Sequence, residues 1–219
     1  MAAVQALAFG GGLAAVAVVV AISTSVRRHD PVLVLVLAGI ALGALLGAGI
    51  ALVKTLADPN TQLPSITFWL MGGLSAVTLP ELGATAPVML CALLPLMLLR
   101  WRINLLGLPD EEALALGVPV ARLRLLLVAC ATLGTAAAVS LAGIVGWVGL
   151  VVPHVARLLV GPNFVRLLPA SALLGAGFVV AADTLARSAT RIELPLGILT
   201  ALVGAPFFLY LLSRTGRND

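Results

Sequence analysis

The chain has 219 residues, of which 61% are hydrophobic and 10% are charged, with a formal net charge of +4. A soluble domain is about a quarter charged, and a disordered chain has low hydrophobicity, so both classes are excluded. A membrane β-barrel is excluded as well, because its strands alternate apolar and polar residues instead of staying apolar for about twenty positions. The composition therefore indicates an all-α polytopic membrane protein.

Seven stretches are predicted to be transmembrane helices, because a helix that crosses the hydrocarbon core needs about 20 apolar residues. In chain order they cover residues 2–22, 32–53, 82–99, 123–141, 144–160, 167–182 and 194–212. Residues 66–79 are also apolar, but Gly72 and Gly73 interrupt them and Pro80 follows. This stretch is too short to span, and we expect it to lie at the interface or to re-enter the membrane.

The basic residues fall mainly on one side of these spans. Of the 13, Lys54, Arg187 and Arg191 lie on one side, and the others lie on the opposite side. Because cytoplasmic loops concentrate Lys and Arg, the richer side is predicted to be cytoplasmic, together with the carboxyl terminus. The amino terminus is then outside without a signal sequence, from which we expect that earlier spans are missing. The arginines are scattered singly or in pairs, which argues against a nucleic-acid partner.

Glycines and prolines inside the spans are predicted to shape helix packing. These residues are Gly39, Gly43, Gly47, Gly146, Gly149, Pro153 and Pro206. The first three recur every four residues, and the next two continue a spacing of three that begins at Gly143. Both rows allow helix backbones to approach closely, and the lining of a substrate path is the alternative. Each proline removes one main-chain hydrogen bond and is predicted to kink its span.

The loop of residues 108–120 carries a complete set of helix start and stop signals. Pro109 can occupy the first helical position, three acids follow it, and Gly117 and Pro119 come after the last helical residue. A helix is predicted over residues 109–116, with a length of about 12 Å, which is too short to span. We expect it on the cytoplasmic surface, either as an interfacial connector or as a docking element for a soluble partner.

Few polar groups with a possible chemical role lie inside the predicted spans or next to them. Asp183 and Arg187 are four residues apart and can pair on one helix face. Cys91 and Cys130 stand alone, and His154 has no second ligand nearby, so neither a disulfide nor a metal site is predicted. The sequence has no G-x-x-x-x-G-K-[ST] motif for ATP. No catalytic residue and no enzymatic activity are predicted, and energy for transport must come from a partner.

Ordered motifs along nearly the whole chain carry a family resemblance. They are LAGI at residues 37–40, FWLMGGL at 68–74, GLPDEEALALGV at 107–118, GIVGWVGLVVPHVAR at 143–157, LPASALLGA at 168–176, ADTLAR at 182–187, ELPLG at 193–197 and GAPFFLYLL at 204–212. Together they resemble the permease family of ATP-driven importers for iron-siderophore complexes, haem and vitamin B12.

The resemblance implies a type II importer subunit with ten spans, in which the seven predicted here correspond to spans four to ten. Residues 1–219 would then form a single permease domain of the cytoplasmic (inner) membrane that lacks the first three spans. The subunit would work by alternating access as a homodimer, above two cytoplasmic ATPase subunits that use ATP and Mg. A substrate-binding protein would dock outside, and the chain itself would bind no cofactor.

The resemblance also implies roles for particular residues. Loop 108–120 would hold the coupling helix that seats in the ATPase, through Pro109, Asp110, Glu111, Glu112, Ala113, Leu114, Leu116 and Gly117. Arg187 would meet acidic residues of the binding protein, and Arg191 is added because it lies on the same side. Two other functions stay open, namely a secondary transporter and a truncated membrane scaffold that transports nothing.

Overall fold

The computed structural model describes residues 2–25, 31–188 and 194–215. Their regular elements are, in chain order, α1 Ala2–Ser25, α2 Pro31–Leu56, α3 Gln62–Met71, α4 Leu79–Leu98, α5 Arg100–Asn104, the 3-10 helix Leu105–Gly107, α6 Asp110–Ala115, α7 Val120–Ala142, α8 Val148–Val160, α9 Phe164–Ser188 and α10 Leu196–Thr215. The predicted all-α class is confirmed. Arg191, to which the sequence analysis assigned a role, lies outside the described residues.

Among the described helices, α1, α2, α4, α7 and α9 are long and apolar enough to cross a membrane, whereas α8 and the apolar start of α10 are shorter. The prediction of a full span over residues 144–160 is wrong, because residues 143–147 are not helical and α8 begins only at Val148. The 13 residues of α8 rise about 20 Å, against about 30 Å of hydrocarbon.

The stretch expected to lie at the interface or to re-enter is the second half of α3 and the turn that follows it. The ten residues of α3 are too few to span. Gly72, with a φ of +73°, ends the helix. The next helix, α4, begins with a capping interaction, in which the Glu81 carboxylate accepts hydrogen bonds from the Thr78 main-chain N–H at 3.0 Å and from the Thr78 hydroxyl at 2.9 Å.

The long helices run between two ends that differ in charge. We call one the basic end, which carries Arg100, Arg102, Arg122, Arg124, Arg157 and Arg166. The other, the distal end, holds α3, residues 143–147 and the start of α10. Between them, α7 packs against α1 and α4, and α8 packs against α9. Each end has its own buried apolar cluster.

Three segments meet at the distal end through main-chain hydrogen bonds. The Gly73 N–H donates to the carbonyl of Ala142 at 2.8 Å, which ties the turn after α3 to the end of α7. The Leu196 N–H donates to the carbonyl of Gly72 at 3.0 Å, which ties the same turn to the start of α10. We call this meeting of residues 72–73, 142–144 and 196–197 the distal junction.

The distal junction requires glycine, because its main chains touch. Gly143 has a φ of +67°, and a Cβ at this position would collide with the carbonyl oxygen of Trp69. A Cβ at Gly197 would lie 2.5 Å from the carbonyl oxygen of Met71. The neighbour in each case is main chain, which cannot rotate away, so any side chain here would push the segments apart.

The row of Gly39, Gly43 and Gly47 lies on α2, as predicted, but it has no partner within the described part of the chain. A Cβ at any of the three positions would meet no atom of another element within 4 Å. Their role in close helix packing therefore stays a prediction.

The second predicted glycine row does not form a helical ridge. Gly143 ends α7, and Gly146 lies in the non-helical link before α8, so the prediction of helix packing is wrong for Gly146. Gly149 lies in α8, where an added Cβ would contact nothing within 4 Å. Pro153 and Pro206 lie inside α8 and α10, as expected.

We predict that Gly143→Ala opens the distal junction. The new methyl group meets the main chain, and alanine rarely adopts a positive φ, so we expect a loss of about 2 kcal/mol in the free energy of unfolding. The measurement is the thermal unfolding of the detergent-purified protein. Gly83→Ala is the control, because Gly83 lies in α4 with open space around it and should be neutral or slightly stabilising. Equal melting temperatures for both variants would contradict the prediction.

Candidate functional site

The loop helix predicted over residues 109–116 is present as α6, shorter by one residue at each end. Pro109 precedes the helix with an extended ψ of 143° instead of starting it. Gly117, with a φ of +78°, follows it. The Gly117 N–H donates to the carbonyl of Leu114 at 2.9 Å, and the Val118 N–H to that of Ala113 at 3.0 Å. This Schellman motif ends α6 and turns the chain toward α7.

Apolar side chains hold α6 at the basic end. Ala113 and Val118, which close the Schellman motif, are 1% and 4% exposed. They pack in one cluster with Ile103 of α5 and with Val120 and Leu123 of α7. The partly buried side chains around this cluster are Leu96, Leu99, Leu105, Leu106, Leu126, Leu127 and Phe164. Ala113 therefore anchors the helix and cannot itself touch a soluble partner.

An ion pair joins the first residue of α6 to α7. The Arg124 Nη2 donates to Asp110 Oδ1 at 2.7 Å, and its Nη1 donates to Oδ2 at 3.0 Å. Both side chains are about half exposed. A bidentate pair of this kind fixes direction as well as distance. The carboxylate of Asp110 is thus directed toward α7.

The remaining side chains of this segment face away from the bundle. Glu111 and Glu112 are exposed. Leu114 and Leu116 are 58% and 62% exposed, and Leu108 is 38% exposed. Exposed leucines on a short acidic helix are typical of a surface that binds another protein.

Two polar side chains that the sequence analysis did not use attach α9 to α5. Asn104 Oδ1 accepts a hydrogen bond from the Phe164 N–H at 3.0 Å. Arg100 Nη1 donates to the carbonyl of Val165 at 3.4 Å. The first bond satisfies an N–H group of the first turn of α9, which has no partner inside its own helix. The partners are 60 and 65 residues apart, so no local sequence signal could have predicted these contacts.

At the distal end, the predicted pairing of Asp183 with Arg187 is present. Arg187 Nε donates to Asp183 Oδ2 at 2.9 Å, and its Nη2 donates to Oδ1 at 3.2 Å. The arginine side chain is 45% exposed, whereas that of the aspartate is 23% exposed. Arg187 therefore stays accessible from the distal side while Asp183 orients it.

Trp147 occupies the link before α8 in a strained conformation. It is the one non-glycine residue with a positive φ, +65°, among the residues described here. Its ring centroid lies 6.2 Å from that of Phe208 on α10. Gly204 faces it, and a Cβ at that position would collide with the Cβ of Trp147. The glycine of the GAPFF motif thus makes room for the indole.

Several cavities and grooves lie among the described helices. A cavity of about 340 Å³ adjoins the distal junction, with Ser65, Phe68 and Ser75 in its wall. An apolar groove of about 770 Å³ lies between α1 and α2. Within the described ranges, no group of three or more His, Cys, Asp or Glu side chains lies close enough to hold a metal ion.

A family model described as the FecCD transport family matches residues 1–214. The chain belongs to this family.

Curated relatives of the FecCD chain include permease proteins of transport and import systems. The probable iron chelatin transport system permease protein of Helicobacter pylori is 43% identical over 209 residues, which are 95% of this chain and 63% of the relative. The cobalamin import system permease protein BtuC of Halobacterium salinarum is 46% identical over 209 residues, 95% of this chain and 56% of the relative. The hemin transport system permease protein HmuU of Yersinia pestis is 40% identical over 210 residues, which are 94% of this chain and 61% of the relative.

A solved structure has the same fold. It is reported as an inward-facing conformation of a metal-chelate type ABC transporter, and it matches 96% of this chain and 73% of its own with a TM-score of 0.84 and 36% identity. The chain spans less than two thirds of the length of the curated relatives described above. These relatives are permease subunits and not enzymes, as expected from the sequence.

We predict that Ala113→Leu displaces α6 from its seat. Three extra carbon atoms must enter a cluster in which Ala113 is 1% exposed, and we expect a loss of about 2 kcal/mol in the free energy of unfolding. Thermal unfolding in detergent measures it. Ala115→Leu adds the same group on the exposed side of the same helix and should leave the melting temperature unchanged. A stable Ala113→Leu variant would show that α6 is not seated in this cluster.

Proposed function

We propose that this FecCD chain belongs to the permease subunit of an ATP-driven importer that moves an iron chelate, haem or a vitamin B12-like molecule across the cytoplasmic (inner) membrane. The names of the relatives support this substrate class, because they include iron chelatin, cobalamin and hemin. The observation that carries the proposal is α6, a short helix that is anchored firmly on one side and exposes acids and leucines on the other.

In this proposal, α6 is the coupling helix of loop 108–120. Its exposed face, formed by Glu111, Glu112, Leu114 and Leu116, seats in a groove of the ATPase. Pro109 and Gly117 define the two ends of the helix. Ala113 and Asp110 hold it against the bundle.

Two ATPase subunits, which use ATP and Mg, bind beneath the basic end and supply the energy. The basic end is then cytoplasmic, in agreement with the concentration of arginines there, and the chain ends on the same side. Closure of the ATPases moves α6, and the spans alternate between an inward-facing and an outward-facing arrangement. The chain itself binds no cofactor in this cycle.

A second copy of the permease completes the translocation path. The open row of Gly39, Gly43 and Gly47 on α2 supports this, because small residues on membrane helices allow close contact with another helix. The apolar groove between α1 and α2 extends this unpartnered surface of α2, as far as the described residues show.

A substrate-binding protein docks on the distal end. Arg187, which is half exposed and oriented by Asp183, offers a positive charge to an acidic residue of that protein. Arg191 is proposed to contribute a second charge from the same side of the membrane.

We predict that Leu114→Asp weakens ATPase binding. Leu114 is 58% exposed on the proposed docking face, and a buried charge in the ATPase groove would be unfavourable. We expect at least a tenfold loss of ATPase that co-purifies with the full-length permease, together with loss of substrate-stimulated hydrolysis. Leu56→Asp is the control, because Leu56 is 78% exposed at the distal end of α2. Equal co-purification for both variants would remove α6 from the coupling role.

We predict that Arg187→Glu lowers the affinity of the permease for its binding protein about tenfold, because the reversed charge repels an acidic partner. The measurement is surface capture of the binding protein by the assembled importer at low salt. Lys54→Glu, which reverses another distal charge, should retain most of the affinity, and Asp183→Asn, which weakens the orienting pair but keeps the arginine, should lose less affinity than Arg187→Glu. If Asp183→Asn lowers the affinity for the binding protein as much as Arg187→Glu does, then the ion pair and not the arginine charge determines that affinity.

A further inference from the structure

The bond between Asp110 and Arg124 joins two elements that differ greatly in size. Asp110 begins a helix of six residues, and Arg124 lies in the second turn of a helix of 23 residues. The two carboxylate oxygens and the two terminal nitrogens of the guanidinium match one to one, at 2.7 and 3.0 Å. A single point contact would leave a short helix free to swivel, whereas a paired contact does not.

The apolar cluster and the ion pair restrict different motions of α6, namely its depth and its rotation. Ala113 and Val118, which lie in the cluster with Leu123, set how deeply the helix sits. The apolar contact is non-directional, and the hydrogen bonds of the Schellman motif fix only the carboxyl end of α6. The pair of Asp110 with Arg124, one residue beyond Leu123 on α7, supplies the missing direction.

The two side chains are 54% and 56% exposed, and an exposed pair contributes little to the free energy of folding. The apolar cluster already holds α6 in place, so the pair only has to bias its orientation, and an exposed pair can do this by about a few-fold. A helix of 23 residues is about 35 Å long and reaches the distal junction at Ala142. A displacement of α6 that moves the first turns of α7 is thus passed to a helix that contacts both the basic end and the distal end.

We propose that Asp110 and Arg124 are positioning residues, which favour one orientation of α6 on α7 so that a push from the ATPase moves the two helices together. This inference rests on the proposed coupling function of α6. It assigns to Asp110 a contact within the permease, whereas Glu111, Leu114 and Leu116 make the contact with the ATPase.

The test uses the full-length importer with its ATPase, in a background in which Cys91 and Cys130 are replaced by alanine. Spin labels at Ala115 and Val128, both exposed, report the distance between α6 and α7 by double electron–electron resonance. In importers that carry the two labels in only one of the two permease copies, we expect one narrow distance that is the same in the resting state and after trapping with ATP and vanadate. A distance that changes on trapping would show that α6 moves independently of α7 and would overturn the proposal.

Asp110→Asn and Arg124→Gln should each broaden the distance distribution about twofold, and the exchanged pair Asp110→Arg with Arg124→Asp should narrow it again. Arg122→Gln removes the same charge two residues from Arg124, at an exposed side chain, and serves as the control. Single variants that match this control, or an exchanged pair that stays broad, would overturn the proposal. Failure of the proposed coupling function is detected separately, because the Leu114→Asp variant would then still co-purify with the ATPase.

Discussion

Main chains touch at the distal junction with no side chain between them, and the distal half of the structure depends on this contact. Gly72, Gly143 and Gly197 each face a carbonyl oxygen that a Cβ would displace. The hydrogen bonds across the junction pair the turn after α3 with peptide groups at the end of α7 and at the start of α10, which have no partner inside their own helices. Glycine is therefore needed here because it has no Cβ and lets three segments approach. A positive φ is a second reason for glycine at Gly72 and Gly143.

The basic end is held in a different way, by side chains. An apolar cluster around Ala113 seats α6, an ion pair orients it, and Asn104 together with Arg100 attaches α9. Because α7 takes part in both ends, it connects a surface proposed to receive the ATPase with a junction made of main chain. The two ends can thus be perturbed separately, the first by changing a side chain and the second by adding a methyl group.

Much of the fold follows from local signals in the sequence, and the remainder depends on contacts between distant segments. Pro109 and Gly117 predicted the bounds of α6 within one residue, because capping is decided by neighbours in the chain. The span over 144–160 was predicted wrongly, since apolar residues alone do not reveal that Trp147 and the residues before it leave the helix. Asn104 was missed because its partner is 60 residues away. The depth at which α6 sits could be expected from neither its caps nor its charges.

The shortness of α8 has a consequence for the main-chain groups that precede it. Its 13 residues rise about 20 Å, which is about 10 Å less than the thickness of the hydrocarbon core. Residues 143–147 occupy the difference with peptide groups that are not wrapped in a helix. Over about a third of the bilayer's depth the chain thus offers the main-chain N–H and C=O groups of residues 143–147 in place of a continuous helix, and such groups need partners within the protein or in a water-filled cavity.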